Sequence, residues 1–98
     1  MGAQLFTDRN HGRNAREAFE ICKRRALKEN SGIATGTIAE KESFVFVHDV
    51  DGVNLQEAEN YARRLIGKSD KRVADKKGPA GCIKIDTGEY FFFGWAGV

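Results

Sequence analysis

Residues 89–98 read EYFFFGWAGV, and five of the ten aromatic residues in the chain fall between Tyr90 and Trp95. Side chains alternate between the two faces of a strand. Tyr90, Phe92 and Gly94 therefore share one face, and Phe91, Phe93 and Trp95 share the other. Both faces are apolar, so this stretch reads as an interior strand of a sheet. Residues 43–48, SFVFVH, behave in the same way, with Phe44 and Phe46 opposite Val45 and Val47. The strand CIKID, residues 82–86, differs: Ile83 and Ile85 face one way, Lys84 and Asp86 the other. It is half-exposed, and Thr87–Gly88 turn it back into the aromatic strand.

Two stretches carry the helical repeat instead. From Asn14 to Asn30, Ala15, Ala18, Phe19, Cys22 and Ala26 fall on one face. Asn14 suits the N-cap, and Glu17 three residues later completes a capping-box spacing. The run Asn30-Ser31-Gly32 stops that helix, with Gly32 able to turn left-handed. The second helix starts at Asn54, again with a glutamate three residues on (Glu57). It presents Leu55, Ala58, Tyr61, Ala62 and Leu65, and ends at Gly67.

Between the helices, IATGTIA (residues 33–39) and residues 43–48 are rich in β-branched and aromatic residues. They predict a hairpin turned at the charged Glu40-Lys41-Glu42. Residues 1–13 read as an arm or a short first strand. Residues 68–81, KSDKRVADKKGPAG, read as a basic, exposed connection in which Ser69 caps one helical turn through Val73 and Ala74. The expected architecture is a single α+β domain over residues 1–98. It has a four-stranded, mainly antiparallel sheet and two amphipathic helices, in the order α-β-β-α-β-β. The strand at 43–48 and the last strand lie inside the sheet.

The totals fit one domain. At 98 residues, 41% hydrophobic and 31% charged, the chain supports one core. No apolar run approaches the ~18 residues that span a bilayer, and no secretory signal is visible; the expected location is the cytoplasm, with no membrane partner. Cys22 and Cys82 are too few for a disulfide framework and read as reduced thiols. The net charge of +2 is unevenly distributed. Residues 31–60 hold one basic and six acidic side chains, whereas residues 61–98 hold eight and four.

Two surfaces stand out as candidate sites. If a helix covers each sheet face, all the strand aromatics are core. If both helices cover one face, Phe44, Phe46, Tyr90 and Phe92 are left on an open face, the mark of a partner site or self-association. The second surface is the basic set Arg63, Arg64, Lys68, Lys71, Arg72, Lys76 and Lys77. It has the charge of a phosphate-backbone or acidic-partner binder, and side-by-side helices would add Arg16, Lys23, Arg24 and Arg25.

Catalytic and metal patterns do not assemble. Counted from Asp49, the segment HDVDGVN (residues 48–54) puts Gly52 at position four, where an EF-hand needs its glycine at six. His48 beside Asp49 has no nucleophile next to it, and two histidines and two cysteines so dispersed form no zinc set. No metal or cofactor is expected, and no catalytic residue.

GTIAEK (36–41), GPAGCI (78–83) and FFFGWAG (91–97) resemble segments of small bacterial and phage-encoded proteins. The resemblance names no family and assigns no residue; it implies an accessory protein of a phage or mobile element. The expected function is a small non-enzymatic protein that engages, and inhibits, another macromolecule, with nucleic-acid binding through residues 63–77 as the alternative.

Overall fold

A strand apolar on both faces needs cover on both, and the chain supplies one helix for each. The computed structural model describes residues 2–97. Along them run β1 (Ala3–Asn10), α1 (Ala15–Glu29), a short 3-10 helix (Ile38–Glu40), β2 (Phe44–Phe46), α2 (Leu55–Gly67), β3 (Ala80–Lys84) and β4 (Tyr90–Gly97). The strands form one sheet in the order β1-β4-β3-β2. β4 is antiparallel to both neighbours, and β2 is parallel to β3. The α+β class, the two helices and the four-stranded, mainly antiparallel sheet are as expected; the element order is β-α-β-α-β-β.

α1 packs on the face that carries Phe6, Ala80, Cys82, Phe92 and Ala96, through Ala18, Phe19 and Cys22. α2 packs on the opposite face, over Ile83, Ile85, Phe91 and Phe93, through Ala58, Ala62 and Leu65. The helix repeat and the strand alternation thus meet in two cores, one on each side of the sheet. Each fully buried Phe or Leu adds roughly 1.5–3 kcal/mol relative to exposure.

The expected hairpin is absent. Ile33–Thr37 form turns: Gly36 takes φ 81°, and the Thr37 hydroxyl donates to the Ala34 carbonyl at 2.8 Å. The same hydroxyl accepts from Ala39 N at 3.1 Å and caps the 3-10 helix. β-Branched composition favoured a strand here, but side chain-to-backbone bonds from threonine compete with the ladder. The fourth strand is instead β1, which joins the sheet at the opposite edge, beside β4. Without its hairpin partner β2 is an edge strand rather than an interior one. It reaches β3 through α2, as a parallel pair requires.

The ends of the helices follow their sequence cues with two changes. Asn54 and Glu57 form the full capping box on α2. At α1 the Asn14 side chain accepts from Glu17 N at 2.9 Å, but the Glu17 carboxylate turns to Arg13 N at 2.8 Å rather than to the cap. Both helices end on a left-handed serine, Ser31 (φ 54°) and Ser69 (φ 53°). Ser69 N donates to Ile66 O and Asp70 N to Leu65 O, so Ser69 closes α2 and does not start a new turn.

Residues 68–81 are not wholly exposed. Val73 is buried and joins the α2-side core. Gly81 leaves room for it: a Cβ there would lie 2.5 Å from the Phe93 ring and 2.9 Å from Val73. Lys41, expected in an exposed turn, is 2% exposed. Its Nζ donates to the carbonyls of Lys76 at 3.0 Å and Gly78 at 2.9 Å, tying this segment to the α1 side of the molecule.

Candidate functional site

With a helix on each face, the four candidate aromatics separate. Phe92 is fully buried and offers no surface, because α1 lies on it. Phe44 and Tyr90 are partly buried against the same core. Phe46 is 41% exposed. The rings form a continuous path from the interior to the surface. Phe92 contacts Phe44 at 5.7 Å, Phe44 meets Phe46 edge to face at 5.4 Å, and Phe46 stacks on His48 at 5.2 Å with 20° between planes. Phe19 of α1 braces Phe44 from above, with centroids 5.1 Å apart. The exposed ring is therefore held by the core, not left loose on a loop.

Phe46, His48, Asp51, Lys84 and Tyr90 border a shallow concavity of about 230 Å³, floored by Val47 and Val50. The free backbone of β2 runs beside it. Ser43 O accepts from Ala80 N, and Val47 N donates to Cys82 O. Odd-numbered residues thus point into the sheet, and the N–H and C=O groups of Phe44 and Phe46 point out of its edge. The surface joins an apolar ring, a polar rim and a strand edge that is unpaired among the described residues.

The basic set is less free than its composition implied. Arg72 is committed on both sides: NH1 and NH2 donate to Asp49 at 2.7 and 3.0 Å, and Nε and NH2 to Asp70 at 2.9 and 3.1 Å. The Arg72 guanidinium holds the Asp49 carboxyl far below the usual carboxylate range, helped by the Tyr61 hydroxyl that donates to it at 2.6 Å. The same guanidinium lowers Asp70 to about 2, and the two carboxylates raise Arg72 in return. Lys76 reaches the Gly2 carbonyl at 3.5 Å, and Arg63 bonds Asn60 at 3.0 Å. Arg63, Arg64, Lys68, Lys71 and Lys77 are exposed.

The cations of α1 do not join them, because α1 lies across the sheet. Arg25 is paired with Asp8 and Arg16 with Glu20, and Lys23 sits 5.3 Å from the centre of the Phe19 ring. Nor does the basic segment lie beside Tyr90 or Phe92, whose side chains face α1.

The His48–Asp49 pair is split. His48 stacks on Phe46, while Asp49 turns to Arg72 and Tyr61. Among the described residues, no three His, Cys, Asp or Glu side chains gather where they would hold a metal ion. Cys22 and Cys82 are free and buried. Burial pushes both thiols up to about 12, which leaves them poor nucleophiles. Among the described residues, no helix is long and apolar enough to cross a membrane.

Two fixing residues had no sequence signal. Lys41 is a lone lysine between acids, and nothing local marks it as buried. Glu40 beside it accepts from Gly36 N at 3.1 Å and from Gly97 N at 2.9 Å, joining the turn to the end of β4. No family model, curated protein or solved structure matches the chain.

Proposed function

We propose that this chain is a small binding domain that engages a protein partner and performs no catalysis of its own. The observation that carries the reading is Phe46: an exposed ring backed by Phe44 and Phe92, beside the outward N–H and C=O groups of β2. Anchored aromatics of this kind supply much of the binding free energy at protein interfaces. A free strand edge complements an extended segment of another chain. The partner's apolar side chain packs on Phe46, and its backbone meets Phe44 and Phe46.

Nucleic acid is the weaker reading of this surface. Stacking of single strands needs several cations along the backbone path. Here Lys84 is the one Lys or Arg among the described residues that border the concavity, and Asp51 stands in the same rim.

The test is an affinity capture with wild-type and Phe46→Lys protein, each with and without nuclease. The expected result is a discrete protein, resistant to nuclease, that Phe46→Lys loses while its circular dichroism stays native. Capture that survives Phe46→Lys, or vanishes with nuclease, contradicts the proposal.

A further inference from the structure

The other edge of the sheet carries a separate observation. Ile85 N donates to Glu89 O at 3.0 Å across the β3–β4 turn. In an antiparallel pair, alternate residues exchange bonds, so odd residues of β4 point to β3 and even ones to β1. The β1–β4 register pairs Phe6 with Gly94 and Asp8 with Phe92. The even residues of β1 are thereby satisfied, and the N–H and C=O groups of Ala3, Leu5, Thr7 and Arg9 face outward.

One end of this edge is closed. Arg9 N donates to the Asp8 carboxylate at 2.8 Å, and Arg9 O accepts from Arg25 at 3.3 Å. Among the described residues, the outward groups of Leu5 and Thr7 have no such partner. Natural edge strands are protected by charge, proline or bulges. Residues 3–7, AQLFT, have none of these, and Leu5 is 42% exposed at their centre. Open grooves border Leu5 on both sides of the strand. One, of about 130 Å³, runs under Ala62 and Ile66 of α2; the other runs beside Ala26 and Ile38.

We infer that β1 pairs with β1 of a second copy of this chain, antiparallel about a two-fold axis at Leu5. The occupant follows from the symmetry of what is free. With Leu5 opposite Leu5, Ala3 of each copy faces Thr7 of the other, so each outward group in that stretch gains a partner. Both exposed leucines become each other's cover. Among the described residues, no like charges are brought opposite: Asp8 falls across from Gly2 of the second copy, beside which Lys76 already stands. The product is one continuous sheet of two copies, with both β2 edges left free at its ends. The β1 edge lies across the sheet from the proposed docking surface at β2, so pairing at one does not depend on binding at the other.

Sedimentation equilibrium over a concentration series, with amide exchange on the same samples, tests it. The wild-type chain should move from monomer to dimer mass as concentration rises. The Leu5 and Thr7 amides should slow in step. Leu5→Lys, which sets two ammonium groups at the axis, should raise the dimer dissociation constant roughly tenfold or more with a native spectrum. Thr7→Pro removes an outward N–H and no bond to β4, and should act in the same direction. A monomer mass up to about 1 mM would overturn the inference. So would a dimer indifferent to both variants, or one broken by Phe46→Lys but not by Leu5→Lys.

Discussion

Arg72 shows how one side chain changes the meaning of a charge cluster. In sequence it is one of seven basic residues within residues 63–77; in the fold its guanidinium is shared between Asp49 and Asp70. The pairing ties the turn after β2 to the segment after α2. It also makes that link sensitive to acid. Both aspartates have folded-state values below their ordinary 3.8, Asp70 at about 2 and Asp49 lower still. A lowered carboxyl stabilises the fold above its unfolded value, and that contribution is lost as pH falls through the folded value. The urea midpoint of the wild-type protein should therefore fall between about pH 4 and pH 2, the window set by those shifts. Arg72→Ala should be less stable at neutral pH and should lose less across that window. Parallel slopes for the two proteins would show that the pair does not carry the acid sensitivity.

The helices illustrate which elements were legible and which were not. Their starts were readable because an N-cap is a local device: Asn54 and Glu57 need only each other and three residues of spacing. Their apolar stripes were readable for the same reason. The stops were half-readable. Glycine was expected to take the left-handed position, but Ser31 and Ser69 occupy it at φ 54° and 53°. A residue with a Cβ is strained there by about 1–2 kcal/mol, whereas glycine is not. Ser31→Gly and Ser69→Gly should each stabilise the protein, by roughly 0.5–1 kcal/mol once the entropy of glycine in the unfolded chain is counted. Thermal unfolding measures this directly, and a lower melting temperature in both variants would contradict the assigned ends. The false hairpin had a different cause. IATGTIA carries strand composition without strand alternation: its apolar residues, Ile33 with Ala34 and Ile38 with Ala39, fall in adjacent pairs that a strand would send to opposite faces. Its conformation is set by Gly36 and by two hydrogen bonds of Thr37, and composition does not weigh those.

Across the whole molecule, the two-faced aromatic strand held the most information. It required cover on both sides, and α1 and α2 provide it from opposite directions. That single fact settles which strand aromatics are core. It also keeps the cations of α1 apart from those of α2, so the two basic sets do not form one patch. Strand order was not legible, because it depends on contacts between β1 and β4 that are some ninety residues apart in the chain. An edge strand is marked by what it lacks, a neighbour, and one sequence does not show that. The candidate site was legible in part for this reason: Phe44, Phe46, Tyr90 and Phe92 read as aromatics of one sheet face, but which of them reaches the surface depends on which rings α1 covers and on β2 lying at the edge.

The central claim is that Phe46 marks the docking surface. A photoreactive side chain placed at position 46, with a matched control at Gln56 on α2, tests it most directly in the cells that make the protein. The account predicts a discrete, nuclease-resistant protein adduct from position 46 and none from position 56. Equal labelling at both positions, or an adduct made of nucleic acid, would contradict it.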